Sequence, residues 1–190
     1  MIQLHFPFNL AWFNRHKKTK EAVLIMLAMR YQFAAYMKCD LLSTPAYKLM
    51  GEGFTDMTES KNPIEYSRKY IHEKSERSDV TGYSPSLSYS MDYYTDDPVA
   101  AEIRAVTDEE LVGTDAQREI ILVDLFDGDA TAGYAAYKRT YSIIPDGKGS
   151  GTDALIYTGN LKATGEKVKG TFVLPTGSSD GVFKIGRAPV

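Results

Sequence analysis

Side chains that could act as nucleophiles, general bases or metal ligands are sparse in this sequence. It contains one cysteine, Cys39, and three histidines, His5, His16 and His72, none of which has a second histidine at the spacing of a zinc site. A single cysteine also excludes an intrachain disulfide and any multi-cysteine metal centre. A thiol or hydroxyl nucleophile needs a base within hydrogen-bond reach, and this chain offers almost no such pair. We therefore predict neither nucleophilic catalysis nor a zinc site.

Acidic and glycine-rich segments provide the remaining candidates for chemistry. Asp124, Asp127 and Asp129 have the composition of a calcium loop, but their spacing does not match the EF-hand series and no glutamate closes the loop. Residues 145–152 (PDGKGSGT) lack the first glycine of a phosphate-binding loop and precede a predicted strand. We interpret both segments as hairpin turns, and the acidic residues 108–110 as the complement of a helix N-terminus. No catalytic constellation remains, so we predict that the chain is not an enzyme and binds no metal or cofactor.

Segments with a period of two must position most of these side chains. Residues 31–39 place apolar side chains at every second position, which predicts a strand with one buried face. Residues 85–93 (PSLSYSMDY) alternate Leu, Tyr and Met with Ser and Asp, and a slip of one residue would bury the serines. These serines therefore form a polar strand face and show no nucleophile motif. Residues 51–62 (GEGFTDMTESKN) are polar, acidic and contain glycine, which predicts a long loop or a protruding hairpin.

One helix is predicted near residues 97–112. Asp96 or Asp97 can cap its N-terminus, and Pro98 suits the first helical position. Its apolar residues share one face: Val99, Ile103 and Val106. Residues 107–110 (TDEE) have the spacing of a capping box, so a second short turn is an alternative to one continuous bent helix.

Four further strands are predicted after the helix, separated by turn sequences. The first of them is apolar on both faces and should be central in its sheet. The predicted strands cover residues 119–126, 135–144, 153–162 and 167–174, with turns at 127–129, 145–147 and 164–166. The combined pattern predicts a mainly β fold, either a two-sheet β-sandwich or a flattened barrel, with one flanking α-helix.

Residues 1–25 differ in composition from the remainder of the chain. They combine an apolar block with four basic residues and one acidic residue, which leaves 18 basic and 24 acidic residues elsewhere. The cations follow the apolar block, the reverse of a secretory signal, and no apolar run is long enough to cross a bilayer. We interpret this segment as a non-native or disordered extension, with the native start at Met26 or Met29. The other predicted divisions are a β domain over 26–175 and a C-terminal tail over 176–190.

Several blocks of the chain resemble the major tail tube proteins of long-tailed bacteriophages. These blocks are residues 80–91 (VTGYSPSLSYSM), 96–99 (DDPV), 137–145 (YKRTYSIIP), the DGKGSG loop that follows, and 154–161 (ALIYTGNL). The likeness runs from about Met29 to Phe172, in the order expected for the family. It implies a two-sheet sandwich with one helix, whose protomers close into hexameric rings that stack into a hollow tube. The genome passes through that tube, and the family carries no catalytic residues and no cofactor.

The resemblance also implies partners and a location. The partners would be copies of this chain and other tail proteins (tape measure, tail terminator and tail tip) in a virion tail assembled in the bacterial cytoplasm. Genomic DNA would pass through the lumen without specific binding, and the acidic balance of residues 26–190 agrees with this because a basic lumen would hold phosphates. In this family a long loop between early strands reaches the neighbouring ring. The residues at the matching position are our candidates for contacts between subunits or rings: Gly51, Glu52, Gly53, Phe54, Thr55, Asp56, Met57, Thr58, Glu59, Ser60, Lys61 and Asn62.

Three other functions remain open at this point. The chain could be another β-sandwich virion protein, such as a tail terminator, a head–tail joining protein or a decoration protein. It could instead be a carbohydrate-binding β-sandwich module that uses exposed tyrosines such as Tyr93 and Tyr94. A hydrolase is the least supported, because the sequence offers no catalytic residues.

Overall fold

The computed structural model describes residues 27–149, 153–174 and 181–186. The predicted extension over residues 1–25 and part of the predicted C-terminal tail lie outside these ranges. The strands in chain order are β1 (Phe33–Cys39), β2 (Ala46–Leu49), β3 (Phe54–Ser60), β4 (Pro63–Arg68), β5 (Arg77–Tyr83), β6 (Ser86–Asp92), β7 (Gln117–Asp129), β8 (Gly133–Lys148), β9 (Ile156–Ala163), β10 (Val168–Val173) and β11 (Val182–Ile185). Helix α1 (Pro98–Asp108) lies between β6 and β7. Within the described ranges, this helix is too short to span a membrane.

Nine strands form one antiparallel sheet that branches at β8. Its main path runs β2-β1-β7-β8-β9-β6-β3, while β10 and β11 extend from β8 on a second branch. Along one edge, residues 134–138 of β8 pair with β10 and residues 141–148 pair with β9. The main path curls into a half-barrel, and Arg30 Nη2 donates a 3.0 Å hydrogen bond to the Met57 carbonyl across the open seam. The predicted fold class, mainly β with one flanking helix, is confirmed, and its flattened-barrel form describes the curled sheet.

The main hydrophobic core fills the inside of the curl. In β6 the residues Leu87, Tyr89 and Met91 are buried, while the serines between them are half-buried on the other face. The predicted register of this strand is therefore confirmed. Full burial of one such side chain contributes about 1.5–3 kcal/mol. Helix α1 closes the core with Val99, Ile103 and Val106, which are all buried.

The ends of helix α1 follow from its sequence. Asp97 is the N-cap, and its Oδ1 accepts a 3.0 Å hydrogen bond from the Val99 N–H, with Pro98 in the first helical position. The prediction of a capping box over residues 107–110 was wrong. Thr107 lies inside the last turn, and its hydroxyl donates to the Ile103 carbonyl at 2.7 Å. The helix ends at Asp108, so the acidic residues that follow lie at its C-terminus and do not complement an N-terminus.

A buried ion pair anchors the helix to the sheet. Glu102 in α1 is fully buried, and its Oε2 accepts a 2.7 Å hydrogen bond from Nε of Arg118 in β7. The other carboxylate oxygen accepts the backbone N–H of Leu41 in the connection after β1. Arg118 also donates from Nη1 to the carbonyls of Asp115 and Gln117. One carboxylate thus joins three segments that are distant in the sequence.

A second, smaller core lies on the opposite face of β1 and β7. It contains Tyr36, Ile121 and Val123, and Phe172 of β10 packs over it with its ring 4.7 Å from that of Tyr36. Burial on both faces makes β7 a central strand, as its apolar sequence predicts. Phe183 of β11 adds to this cluster. The prediction of a tail over residues 176–190 was therefore wrong for Val182–Ile185, which form a paired strand.

The prediction of a long loop or a protruding hairpin over residues 51–62 was also wrong, because Phe54–Ser60 form a strand that pairs with β6. Only the turn before Phe54 and the two residues after Ser60 are outside β3, which pairs with β6 along its length. β3 is an edge strand with one buried residue, Met57, so its sequence carries no regular alternation. A polar edge strand and a loop therefore have similar composition.

Two of the predicted turns lie inside strands. Residues 145–147 continue β8 through a register shift opposite β9, because a bulge accommodates Pro145, which has no N–H to donate. Residues 127–129 belong to the end of β7, and the chain turns immediately after them, where Asp129 Oδ1 accepts N–H bonds from Thr131 and Ala132 at 2.7 Å. The predicted turn at 164–166 does connect β9 with β10.

Candidate functional site

The residues with potential for nucleophilic chemistry lie in unrelated parts of the fold. Cys39 is buried at the end of β1, and burial, assisted by the charge of Glu102, raises the pKa of its thiol to about 12. His72 lies in the exposed connection between β4 and β5, with Nε2 3.8 Å from a Glu73 carboxylate oxygen. The thiol is thus protonated and enclosed at neutral pH. Across residues 27–149, 153–174 and 181–186, no three His, Cys, Asp or Glu side chains are grouped to hold a metal ion.

The acidic candidates also have structural roles. Asp108 binds Arg104 Nε at 3.2 Å and Lys148 Nζ at 2.7 Å, and these cations hold the pKa of its carboxyl below the usual range. Asp124 lies on the inner face of β7, where burial and the charge of Asp127 raise its carboxyl pKa. The last residues of the glycine-rich segment, 150–152, lie outside the described residues.

The tyrosines considered for carbohydrate binding do not form a shared platform. The ring of Tyr93 packs 5.7 Å from that of Tyr157, and its hydroxyl accepts a 3.1 Å hydrogen bond from Arg104. Tyr94 is exposed and lines a separate cleft. The Tyr93 ring is therefore held by intramolecular contacts, whereas the Tyr94 ring lies in a different cleft and does not extend the same surface.

Unpaired strand edges are the first candidate assembly surface. In the described part of the chain, β3 pairs only with β6 and β2 pairs only with β1, so each presents one open edge of backbone N–H and C=O groups. The two edges flank the seam of the half-barrel, where a recess of about 920 Å³ is lined by both strands and by Met29–Tyr31. Open edges favour pairing with another chain. The seam therefore provides a surface that a second polypeptide could complete.

The twelve residues predicted to contact neighbouring subunits follow this edge from one end to the other. Gly53 turns the chain into β3 with φ +79°, and a side chain there would place its Cβ 2.5 Å from the Asp92 carbonyl. Phe54 and Met57 face inward, with Phe54 partly buried and Met57 buried. Asn62 ends the segment with φ +43°. The side chains exposed to solvent belong to Glu52, Thr55, Asp56, Thr58, Ser60, Lys61 and Asn62. The segment is thus an accessible edge, and its role in contacts between subunits stays a prediction.

The protruding element is the antiparallel ribbon β4–β5, which immediately follows this segment. Every residue of β4 is exposed, and every residue of β5 except the half-buried Gly82. The exposed side chains include large apolar ones: Ile64, Tyr66, Tyr70, Ile71, Val80 and Tyr83. At the base of the ribbon, Asn62 Nδ2 donates to the Ser84 carbonyl at 3.1 Å and to Ser86 Oγ at 3.0 Å. Sequence reasoning missed this ribbon, although Pro63 and Pro85 bracket it.

The two ends of β3 carry opposite charge. Near Ser60, a recess of about 440 Å³ is lined by four cations, one carboxylate, two tyrosines and a proline: Lys61, Arg139, Lys167, Lys169, Glu59, Tyr83, Tyr137 and Pro85. We call it the basic recess. Near Phe54, a cleft of about 220 Å³ is lined by Glu52, Asp96 and Asp97 together with uncharged residues. We call it the acidic cleft.

Inside the basic recess the charges are only partly compensated. The Tyr137 hydroxyl donates a 2.7 Å hydrogen bond to Glu59, which also pairs with Lys61. Lys167 Nζ lies 3.7 Å from the centre of the Tyr137 ring. Burial and the nearby charge of Lys61 lower the pKa of Lys167. Arg139 Nε is enclosed and has no hydrogen-bond acceptor among the described residues.

Comparison with known proteins gives matches in structure only. No protein-family model and no curated protein sequence matches the chain. Among solved structures, a chain from the tail of an empty GTA particle with C6 symmetry has a TM-score of 0.53 and 14% identity, over 74% of this chain and 97% of that one. The tube-terminating cap of the anti-feeding prophage gives a TM-score of 0.48 at 11% identity, over 82% and 99% of the two chains. The sheath/tube terminator structure of the PVC extracellular contractile injection system gives 0.47 at 11% identity, over 77% and 98%.

These solved chains are components of tail or tube assemblies. The GTA tail chain, with the TM-score above 0.5, shows that this chain has the same fold. The matched region covers nearly all of that protein and about three quarters of this chain.

Proposed function

We propose that this chain is a structural subunit of a phage-type tail tube that assembles with copies of itself. The observation that carries the proposal is the β4–β5 ribbon, whose strands expose apolar side chains on a two-stranded sheet. An isolated ribbon of this kind is at best marginally stable in water. A second molecule that covers the ribbon would bury those side chains and stabilise it. The shared fold with a GTA tail chain supports the same assignment.

The open edges of β2 and β3 supply a second kind of contact. Six copies in a ring would let each open edge meet a neighbouring copy, and ring closure satisfies the backbone groups without leaving a growing end. The ribbon projects from the base of β3 and would reach a different neighbour from the one that pairs with the edge. Lateral pairing and a projecting arm together would build stacked rings and hence a tube.

The remaining parts of the proposal concern the assembled tail. We propose that the tube is a conduit for DNA, and that the tape measure, terminator and tip proteins of the tail are its other partners. The particle would be a virion tail assembled in the bacterial cytoplasm. Across residues 27–149, 153–174 and 181–186, no three His, Cys, Asp or Glu side chains are grouped to hold a metal ion, and the proposed role requires none.

Electron microscopy of the purified chain tests the proposal. We expect hollow tubes or six-fold rings in negative stain. We also expect the light scattering per unit mass of protein to increase with protein concentration. A variant in which residues 64–82 are replaced by a two-residue turn should remain folded, because neither ribbon strand contains a buried residue, but should not stack. The matched control replaces Lys74 in the ribbon tip with Ser and should assemble normally. A chain that stays monomeric at every concentration would contradict the proposal, as would normal stacking without the ribbon.

A further inference from the structure

β3 gives the molecule a polar axis. The acidic cleft lies at the beginning of this strand and the basic recess at its end, with Glu52 and Lys61 just outside the two termini. At about 3.3 Å per residue, the strand separates the two charged ends by roughly 25–30 Å. Opposite charges at that separation are screened from each other in physiological salt. Each end is therefore available to interact with another molecule.

The basic recess contains more cations than carboxylates. Its four lysine and arginine side chains face one carboxylate of their own, Glu59, with Asp124 of β7 close enough to interact with Lys167. Burial lowers the pKa of Lys167, and the charges of Lys61, Lys169 and Arg139 lower it further. The enclosed Nε of Arg139 has no partner in the described chain, and an unsatisfied donor of this kind is costly. An incoming carboxylate would reduce the repulsion among the cations that line the recess.

The acidic cleft presents carboxylates that could accept hydrogen bonds from the cations of another copy. Glu52 lies between two glycines in the turn before β3 and is exposed, as is Asp96 in the connection before α1. Asp97 is committed to the helix N-terminus. Neither lysine nor arginine is among the described residues that line the cleft. Two exposed carboxylates are therefore presented at this end, and the described lining of the cleft supplies no cation to pair with them.

We propose that the basic recess of one copy binds Glu52 and Asp96 of a second copy, so that molecules stack head to tail along the β3 axis. The inference rests on the proposed self-assembly and assigns the surfaces and the direction of stacking. Carboxylate bonds to the guanidinium and ammonium groups are charge-assisted and directional. A contact between two different surfaces of identical copies generates an open stack when the rotation between copies does not close into a ring. The segment first predicted to contact neighbouring rings supplies residues to both surfaces, Glu52 at one end and Lys61 at the other.

Charge reversal at each end tests this contact. The recess variant carries Lys61→Glu and Lys167→Glu, and the cleft variant carries Glu52→Lys and Asp96→Lys. All four positions are exposed, so the fold should be retained and is checked by urea unfolding. The matched controls reverse single exposed charges elsewhere, Lys184→Glu and Asp115→Lys. Stacking is measured by light scattering, as the protein concentration at which the scattering per unit mass of protein reaches half of its plateau value.

Each reversed variant alone should require at least about a tenfold higher concentration to stack, because like charges would meet at the contact. An equimolar mixture should return to within about threefold of the native concentration, since the altered ends complement each other in alternating order. Stacking of either folded variant at the level of its controls would overturn the proposed contact while the tube function stood. A mixture that remains dispersed would overturn it as well. A native chain that never assembles would reject both proposals.

Discussion

Replacement of Glu102 by alanine tests the anchor between helix and sheet. The carboxylate is fully buried, lies 2.7 Å from Arg118 Nε and accepts the Leu41 N–H. The substitution leaves an arginine that is 8% exposed without its counter-ion and a backbone donor without its acceptor. Loss of one partner of a buried pair costs about 3–5 kcal/mol, a large part of the 5–15 kcal/mol that stabilises a typical domain.

The free energy of unfolding is measured by urea titration followed by far-UV circular dichroism. With a denaturant slope of about 2 kcal/mol per molar, the midpoint should fall by about 2 M. Glu109→Ala, at an exposed position after the same helix, is the matched control and should change stability by less than about 0.5 kcal/mol. The double variant Glu102→Leu/Arg118→Met should recover more than half of the loss, because it removes both charges from the interior. A loss below about 1 kcal/mol for Glu102→Ala would refute the assignment of the ion pair as an anchor.

Three further predictions concern the core, a turn and the thiol. Leu87→Ala should destabilise the fold by about 2–5 kcal/mol in urea titrations. Ser88→Ala, on the opposite face of the strand, should destabilise it by less than about 0.5 kcal/mol. Equal losses would reject the described register. Gly53→Ala should lower the free energy of unfolding by about 2 kcal/mol or more, because its Cβ would meet the Asp92 carbonyl. Gly113→Ala, at a positive φ but in open space, should lower it by about 1 kcal/mol. The reverse order would contradict the turn geometry. Iodoacetamide at pH 8 should modify Cys39 only as fast as the chain unfolds, since burial raises the thiol pKa to about 12. Complete modification of the native protein within minutes would show that the thiol is accessible.

The parts of the fold that sequence reasoning predicted depend on short-range patterns. The alternation in β6 and the Asp97-Pro98 start of α1 are each contained within a few residues, and the structure reproduces both. The apolar sequence of β7 likewise predicted its central place. β3 was missed because its outer face is solvent-exposed and its identity as a strand depends on β6, about 30 residues further along the chain.

Long-range contacts also explain what was missed at the candidate surfaces. The basic recess combines residues from β3, β8 and the start of β10, which only the branching of the sheet brings together. The ribbon β4–β5 has no buried face, so nothing in its own sequence indicates that it protrudes from the sheet. The sequence did indicate that Glu102 is buried, because this residue lies three positions after Val99 on the apolar face of α1. An acid at that position predicts a buried cation partner, but the sequence alone does not identify Arg118.

The pairing of β1 with β7 has a consequence for synthesis of the chain. Phe33 pairs with Asp124, so the first strand of the domain meets its central partner only after about 90 further residues have been made. At 5–20 residues per second, that interval lasts roughly 5–20 s on the ribosome. During this time, among the described strands, β1 can form its sheet pairing only with the short β2. Non-local pairing of this kind slows folding, and nascent chains are then most prone to aggregate with one another. Production at reduced temperature or with a holding chaperone should therefore increase the yield of soluble chain.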